Sequence, residues 1–364
     1  MSKAKPQPEK SSIAAPAPKK TEIRVSESRL HQVVRSLQGS TIAVVSCGRA
    51  QIASLLADAR PNTRVYVWTL DQYREELARK HPDTSDAVQF CGSPDWPQDC
   101  NPDLVAISLQ KGGESELARD YLQNGYQQLQ DGGVLAVSID NPKDKWLHSQ
   151  MQLFDKSVKV RPFKDALVYY VIKKNPLRKA KDFSCTLAFR DEGNLIQLVT
   201  RPGVFAHRQF DNGARQILDA IEVFPESSII EIGCGSGAMS LALATREPSA
   251  NLFAIDCHHR AVDCTLKGAK LNGLTNVQAA VNHDGELGDK AGTFDMALAN
   301  PPYYADFRIA QHFVETAQRA LRPGGRLLVV TRKPQWYRDN FGTWFQEPEV
   351  FQSRNYHIAT GVKG

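Results

Sequence analysis

The sequence predicts an α/β protein built from two tandem, doubly wound Rossmann-like units, the first of them degenerate in its loops. Three observations carry this. Short β-branched strands alternate with helical segments along the chain. Their order repeats at near-constant offsets: Asp71 to Asp256 is 185 residues, and Asp103 to Asp295 and Gly133 to Gly325 are each 192. The length of 364 residues suits two domains of ordinary size.

Residues 1–24 are rich in Lys, Pro, Ala, Ser and Gln and offer nothing to bury; they are expected to form a disordered basic tail. Residues 25–175 form the first unit. Thr41–Cys47 (TIAVVSC) reads as a buried strand and Gln51–Ala59 as a helix. Thr63–Leu70 is a second strand ending at Asp71, and Leu104–Leu109 is a third. Leu117–Gln130 is a helix stopped by Asp131-Gly132-Gly133, and Val134–Ile139 is the next strand. Residues 176–200 are a connecting segment, with a strand or hairpin leading into the second unit, residues 201–364. There Ser228–Ile232, Asn251–Ile255, Met296–Ala299 and Arg326–Thr331 are strands. Ser236–Thr245 and Ile309–Leu321 are helices, and Pro323-Gly324-Gly325 repeats the earlier stop signal.

Composition narrows the function classes. Hydrophobic residues make up 41% and charged residues 23%, enough for two cores. No apolar run is long enough to span a membrane, and the first residues lack a secretory h-region. The net charge of +5 is uneven: residues 1–24 hold six basic and two acidic residues, 25–175 hold 18 of each, and 176–364 hold 21 and 20. The excess sits in the tail, so charge alone argues only weakly for a nucleic-acid partner. Seven cysteines without a C-x-x-C pair point to a reduced, cytoplasmic compartment and to no metal site.

Three motifs carry chemistry. The first is Glu231-Ile232-Gly233-Cys234-Gly235-Ser236-Gly237. An acidic residue near a strand end precedes three alternate glycines and a helix, the pattern of a loop that lets a nucleotide-type cofactor approach the backbone. Its G-x-G-x-G spacing is neither the dinucleotide nor the phosphate-loop fingerprint. The second is Asp256, 25 residues after Glu231, at the end of the next strand with Cys257 beside it. A carboxylate there is placed to accept both ribose hydroxyls. Asp284 follows one strand later as the candidate acceptor for an adenine amine, with Glu286 and Asp289 as rivals. His258 and His259 are expected at the cofactor rim.

The third motif is Asn300-Pro301-Pro302-Tyr303. Two prolines stiffen the loop and remove two donors. The Asn300 side-chain carbonyl and the Pro301 backbone carbonyl then accept the two hydrogens of one planar amine, directing its lone pair at an electrophile. Tyr303 offers a ring on which a base stacks, worth about 1–3 kcal/mol.

Together these stretches resemble class I S-adenosylmethionine-dependent methyltransferases of the "methyltransferase small" family, which includes the bacterial ribosomal RNA guanine-N2 methyltransferases. The match also includes Arg201-Pro202-Gly203-Val204-Phe205 followed by Phe210-Asp211-Asn212-Gly213, similar to the family's lead-in segment. The resemblance implies S-adenosyl-L-methionine as cofactor, Phe205 as part of its site, and ribosomal RNA or a ribosomal subunit as partner. It also implies two methyltransferase-fold domains, the N-terminal one degenerate. The ribosomal guanine enzymes typically carry N-P-P-F and a histidine, where this chain has Tyr303-Tyr304-Ala305-Asp306. N-P-P-Y is shared with adenine-N6 and glutamine-N5 methyltransferases, so the target amine stays open between them.

The first unit lacks both loops. Ser46-Cys47-Gly48-Arg49-Ala50 stands where the glycines belong, and Ser108-Leu109-Gln110-Lys111 where N-P-P-Y belongs. It is read as a substrate-gripping or stabilising domain, with Lys111, Lys143 and Lys145 as candidate phosphate contacts. The rival from another class is a non-catalytic cofactor-binding scaffold, against which the intact second-unit loops argue.

Overall fold

The structure is a computed structural model describing residues 23–37, 39–302 and 307–364. Nearly all of the expected tail, and Tyr303, lie outside the described residues. The first domain runs α1 (Val25–Val34), β1 (Thr41–Ser46), α2 (Gln51–Asp58), β2 (Arg64–Thr69), α3 (Gln72–Arg79) and β3 (Val88–Gly92). It continues through β4 (Leu104–Leu109), α4 (Ser115–Gln128), β5 (Val134–Ile139), α5 (Trp146–Met151), β6 (Lys159–Pro162) and β7 (Leu167–Ile172). A hairpin of β8 (Cys185–Asp191) and β9 (Asn194–Thr200) follows. The second domain then runs α6 (Asn212–Ala220), β10 (Ser228–Ile232), α7 (Ala238–Arg246), β11 (Asn251–Asp256), α8 (His259–Leu271) and β12 (Val277–Val281). It closes with β13 (Phe294–Ala299), α9 (Arg308–Ala320), β14 (Leu321–Thr331), α10 (Pro334–Asn340), β15 (Gln346–Ser353) and β16 (Tyr356–Val362).

The two sheets have one topology. Strand order is β3-β2-β1-β4-β5-β7-β6 in the first and β12-β11-β10-β13-β14-β16-β15 in the second. In each, the first four pairings in that order are parallel and the last two antiparallel. All six residues of β4 are buried, as expected for a parallel strand covered on both faces. Leu122 and Tyr126 of α4 cover one face of the first sheet, and Leu30, Ile52 and Leu56 of α1 and α2 the other. In the second, Leu241 of α7 and Val314 of α9 take those places. Each such side chain contributes roughly 1.5–3 kcal/mol by leaving water.

The duplication extends to hydrogen bonds. Asp103 Oδ2 accepts from Ser40 N at 2.7 Å, and Asp295 Oδ2 from Ser228 N at 2.7 Å. Lys173 Nζ donates to Leu129 O at 2.5 Å, and Lys363 Nζ to Leu321 O at 2.6 Å. The hairpin packs on the second domain: Phe189, Ile196 and Leu198 join its core, and the Asn272 side chain bonds both N and O of Gln197. The helix expected from Ser236 begins at Ala238 instead. Gly237 stands at φ +75°, in the left-handed region, which no helix continues.

The domains meet where β2 and β11 end. Gln72 N donates to Cys257 O at 2.8 Å, and His259 N to Leu70 O at 2.7 Å. Arg260, fully buried, crosses this seam. Its guanidinium donates to Pro94 O, to Pro202 O and to Asp120 Oδ2, the last at 2.6 Å, and lies over the Trp68 ring. Nearby, Glu114 accepts from Gly203 N, and Glu116 from Arg208 Nε at 2.6 Å. The lead-in segment of the second domain is thereby held by α4 of the first.

Candidate functional site

The loop between β10 and α7 is built on three positive φ angles: Gly233 at +76°, Gly235 at +55° and Gly237 at +75°. Their surroundings differ. A Cβ on Gly233 would lie 2.6 Å from the Phe313 ring, and one on Gly237 would lie 2.7 Å from Thr265. Among the described residues, a Cβ on Gly235 meets only Phe205 Cβ, at 3.9 Å. Gly233 and Gly237 are therefore required by packing, while Gly235 has no close neighbour among the described residues and lies beside the exposed Phe205. Cys234 turns its buried side chain to Thr265, whose hydroxyl reaches Sγ at 3.4 Å, so only its backbone belongs to the loop surface.

Glu231 is buried under the loop. Its Oε2 accepts from both N and Oγ of Ser240, at 2.9 and 2.5 Å, and so caps α7 from beneath. Burial pushes its carboxyl up to about 7 against those two bonds. Asp256 is half-buried at the end of β11. Its Oδ2 accepts from Gly235 N at 2.9 Å and its Oδ1 from His258 N at 2.9 Å. Burial raises its pKa and the two amides oppose the rise. Each oxygen retains a lone pair, so the carboxylate has capacity for two further donors.

Cys257, His258 and His259 stand in the seam between the domains. The Cys257 carbonyl serves Gln72 N, and its thiol pKa is raised by burial. The His258 ring packs on Gly203 and the His259 ring on Gly92. Burial, then the Arg260 charge, hold His258 down at about 3. Asp284 is exposed on the loop after β12, where its Oδ1 accepts from Glu286 N at 3.0 Å.

Asn300 and Pro301 leave the end of β13. In the β10–β13 pair Ile232 lies opposite Ala299. The glycine loop and the Asn300-Pro301-Pro302 loop therefore leave two paired strands at adjacent positions, about 4.8 Å apart. Asn300 Nδ2 donates to Asp211 Oδ2 at 2.7 Å. Pro301 is buried and Pro302 half-buried. The donor set suits a nucleoside cofactor: an open glycine cradle, a strand-end carboxylate with spare lone pairs, and an exposed aromatic lip at Phe205. Among the described residues no cluster of His, Cys, Asp and Glu has the form of a metal site. No helix among them is long and apolar enough to cross a membrane.

Comparison with known proteins gives this arrangement its relatives. The methyltransferase small domain matches residues 195–360. The Bacillus subtilis protein YbxB, uncharacterized, is 30% identical over 183 residues, covering 49% of this chain and 91% of YbxB. The chain belongs to the methyltransferase small-domain family. Another relative, ribosomal RNA small subunit methyltransferase C of Chromohalobacter salexigens, is 32% identical over 189 residues, 48% of this chain but only 54% of that protein. Its namesake from Pseudoalteromonas translucida is 24% identical over 304 residues, 81% of this chain and 86% of the relative. Among solved structures, the T. thermophilus 16S rRNA N2 G1207 methyltransferase (RsmC), in complex with AdoMet and guanosine, superimposes with a TM-score of 0.76. It is 19% identical, covers 93% of this chain and 92% of its own, and shares the tandem two-domain fold.

Set against the methyltransferase small domain, the first domain has its equivalent loop filled from within. Glu27 of α1 is fully buried; its Oε1 accepts from Ser46 Oγ at 2.5 Å and its Oε2 from Ile52 N at 3.0 Å. Arg24 lies against Gly48 and donates to Gln110, in the segment equivalent to Asn300-Pro301-Pro302. α1 thus occupies the space that the second domain leaves open at Gly235. Lys111, Lys143 and Lys145 are exposed on loops at the carboxyl ends of β4 and β5. Sequence reasoning assigned no role to Glu27, Ser240, Asp211 or Arg260. Of these, only Asp211 carried a signal: an N-cap residue three positions before the amide it receives.

Proposed function

We propose that this protein is an S-adenosylmethionine-dependent N-methyltransferase that acts on the exocyclic N2 amine of a guanine in ribosomal RNA, in the cytoplasm. The observation that carries the reading is the register of β10 against β13. It brings the glycine loop and the Asn300-Pro301-Pro302 loop side by side at the carboxyl end of one sheet, which supports a cofactor loop beside an amine-accepting loop.

In this reading the Gly233–Gly237 loop, with the Cys234 backbone, cradles the cofactor. Glu231 holds the loop by capping α7, and Asp256 accepts the ribose hydroxyls through the lone pairs its amides leave free. Cys257 closes the rim beside it, Asp284 meets the adenine amine, and Phe205 covers the open face at Gly235. Bound S-adenosylmethionine supplies a sulfonium-activated methyl group. The chain supplies alignment: Asn300 Oδ1 and the Pro301 carbonyl take the two amine hydrogens and aim the nitrogen lone pair. Pro302 stiffens the loop and Tyr303 stacks the base. No side-chain base is needed, because the methylated nitrogen releases its proton to water. A base inside folded RNA is splayed out to reach this loop. The first domain, closed by Glu27, grips RNA phosphates through Lys111, Lys143 and Lys145.

The names of the ribosomal RNA relatives and the whole-chain likeness to the guanine-N2 enzyme support this substrate. Asn300→Ala is expected to abolish methyl transfer while leaving cofactor affinity within about threefold. Retained transfer overturns the assigned role.

A further inference from the structure

We propose that Asp211 is the positioning residue that decides which end of the Asn300 amide faces the substrate, and that it thereby commits the site to an amine and against a carbonyl. The inference rests on the methyltransferase reading above.

An asparagine amide has nearly the same shape either way round; its two ends differ only in donating or accepting. At Asn300 the choice is made from outside the loop, 89 residues away in sequence. Asp211 is the N-cap of α6, and its Oδ2 accepts both from Ala214 N at 2.9 Å and from Asn300 Nδ2 at 2.7 Å. A carboxylate only accepts, so it selects Nδ2. Turned over, the amide would set its carbonyl oxygen against a carboxylate oxygen at that separation. Oδ1 is therefore the end left to the substrate, and it accepts no hydrogen bond from any described residue.

The helix start is shaped for this contact. A Cβ on Gly213 would lie 2.8 Å from Asp211 Oδ2 and 3.0 and 3.1 Å from the Asn300 amide atoms. The glycine two residues beyond the cap thus lets the amide lie on the helix end. The consequence is chemical. Guanine presents a donor amine at N2 and an acceptor at O6. An outward Oδ1 takes the N2 hydrogens; an outward Nδ2 would take O6 and leave the amine unaligned. Asp211 touches neither group and acts only through Asn300.

The test separates orientation from folding. Asp211→Ser keeps a capping oxygen for Ala214 N but is too short to reach Asn300, so Nδ2 loses its acceptor and either end of the amide can face the substrate. Expected are an unchanged melting temperature, S-adenosylmethionine affinity and RNA KM within about twofold, and a kcat at least about tenfold lower. Asp211→Asn, whose single oxygen in the Oδ2 position serves both Ala214 N and Asn300 Nδ2, is expected to keep kcat within about threefold of the parent. A serine variant with kcat within twofold of the parent, or an asparagine variant no faster than the serine one, overturns the proposal.

The parent protein is assayed first on the same RNA. If it methylates nothing, the functional reading falls, and the Asn300 side-chain NH2 resonances of selectively 15N-labelled protein decide the Asp211 claim alone. Resonances shifted by Asp211→Ser and carrying a hydrogen-bond coupling in the parent uphold it. Resonances indifferent to the substitution overturn it.

Discussion

Gly235→Ala should separate the cofactor cradle from the fold. Among the described residues, the added Cβ meets nothing nearer than Phe205 Cβ at 3.9 Å. The internal cost is then only that of an L-residue at φ +55°, about 1–2 kcal/mol. For a domain of this size that lowers Tm by roughly 2–8 °C. The methyl projects instead into the space assigned to S-adenosylmethionine, where displacing the ligand by one methyl's width costs at least about 1.4 kcal/mol, tenfold in Kd. Gly237→Ala sends its Cβ to 2.7 Å from Thr265. Overpacking of roughly 1–3 kcal/mol then adds to the backbone strain, and stability suffers more than binding. Calorimetric titration with S-adenosylmethionine and thermal unfolding without it measure both terms. A Gly235→Ala protein that binds the cofactor as tightly as the parent would refute the cradle, whatever its Tm.

Glu231 and the seam give two further expectations. Glu231 ionises near 4.5 when unfolded and at about 7 when folded. Between those values the folded state holds a proton that the unfolded state has lost, so this group's contribution to stability falls as pH rises, by roughly 3 kcal/mol at most, and is flat above. Glu231→Gln keeps an acceptor for Ser240 without the charge. Its stability relative to the parent should rise between pH 5 and pH 8 in denaturant titrations; a difference independent of pH contradicts the assignment. Arg260→Met strands Asp120 and two carbonyls in the seam and should cost about 3–5 kcal/mol. Loss below about 1 kcal/mol in urea unfolding would mean the buried pair does not hold the domains.

The parallel heart of both sheets was legible because β1, β4, β10 and β13 are short apolar runs bounded by turn signals. The antiparallel edges were not. Lys159–Pro162 is exposed at every residue and Gln346–Ser353 at most, so no buried face writes a pattern into them. The loop residues of the site could be named because glycine and proline there serve local geometry. What escaped was set by distant partners. Arg260 opens α8 as an ordinary surface arginine would, and its partners Asp120 and Pro94, 140 and 166 residues earlier, show why it is buried. Glu27 looks like an exposed helix carboxylate until its closure of the first domain's loop is seen. His258 and His259, expected at a cofactor rim, lie in a seam that no single-domain pattern foretells.

Methyl transfer to a guanine amine of RNA is the reaction that the two adjacent loops are proposed to perform. The decisive measurement is incubation of the purified chain with methyl-labelled S-adenosylmethionine and unmodified ribosomal RNA, both free and as subunits. Digestion to nucleosides and mass identification follow. Label in N2-methylguanosine is the expected result. Label in N6-methyladenosine, or none in any RNA while the cofactor binds, would contradict it and turn the search to adenines, protein glutamines and small amines.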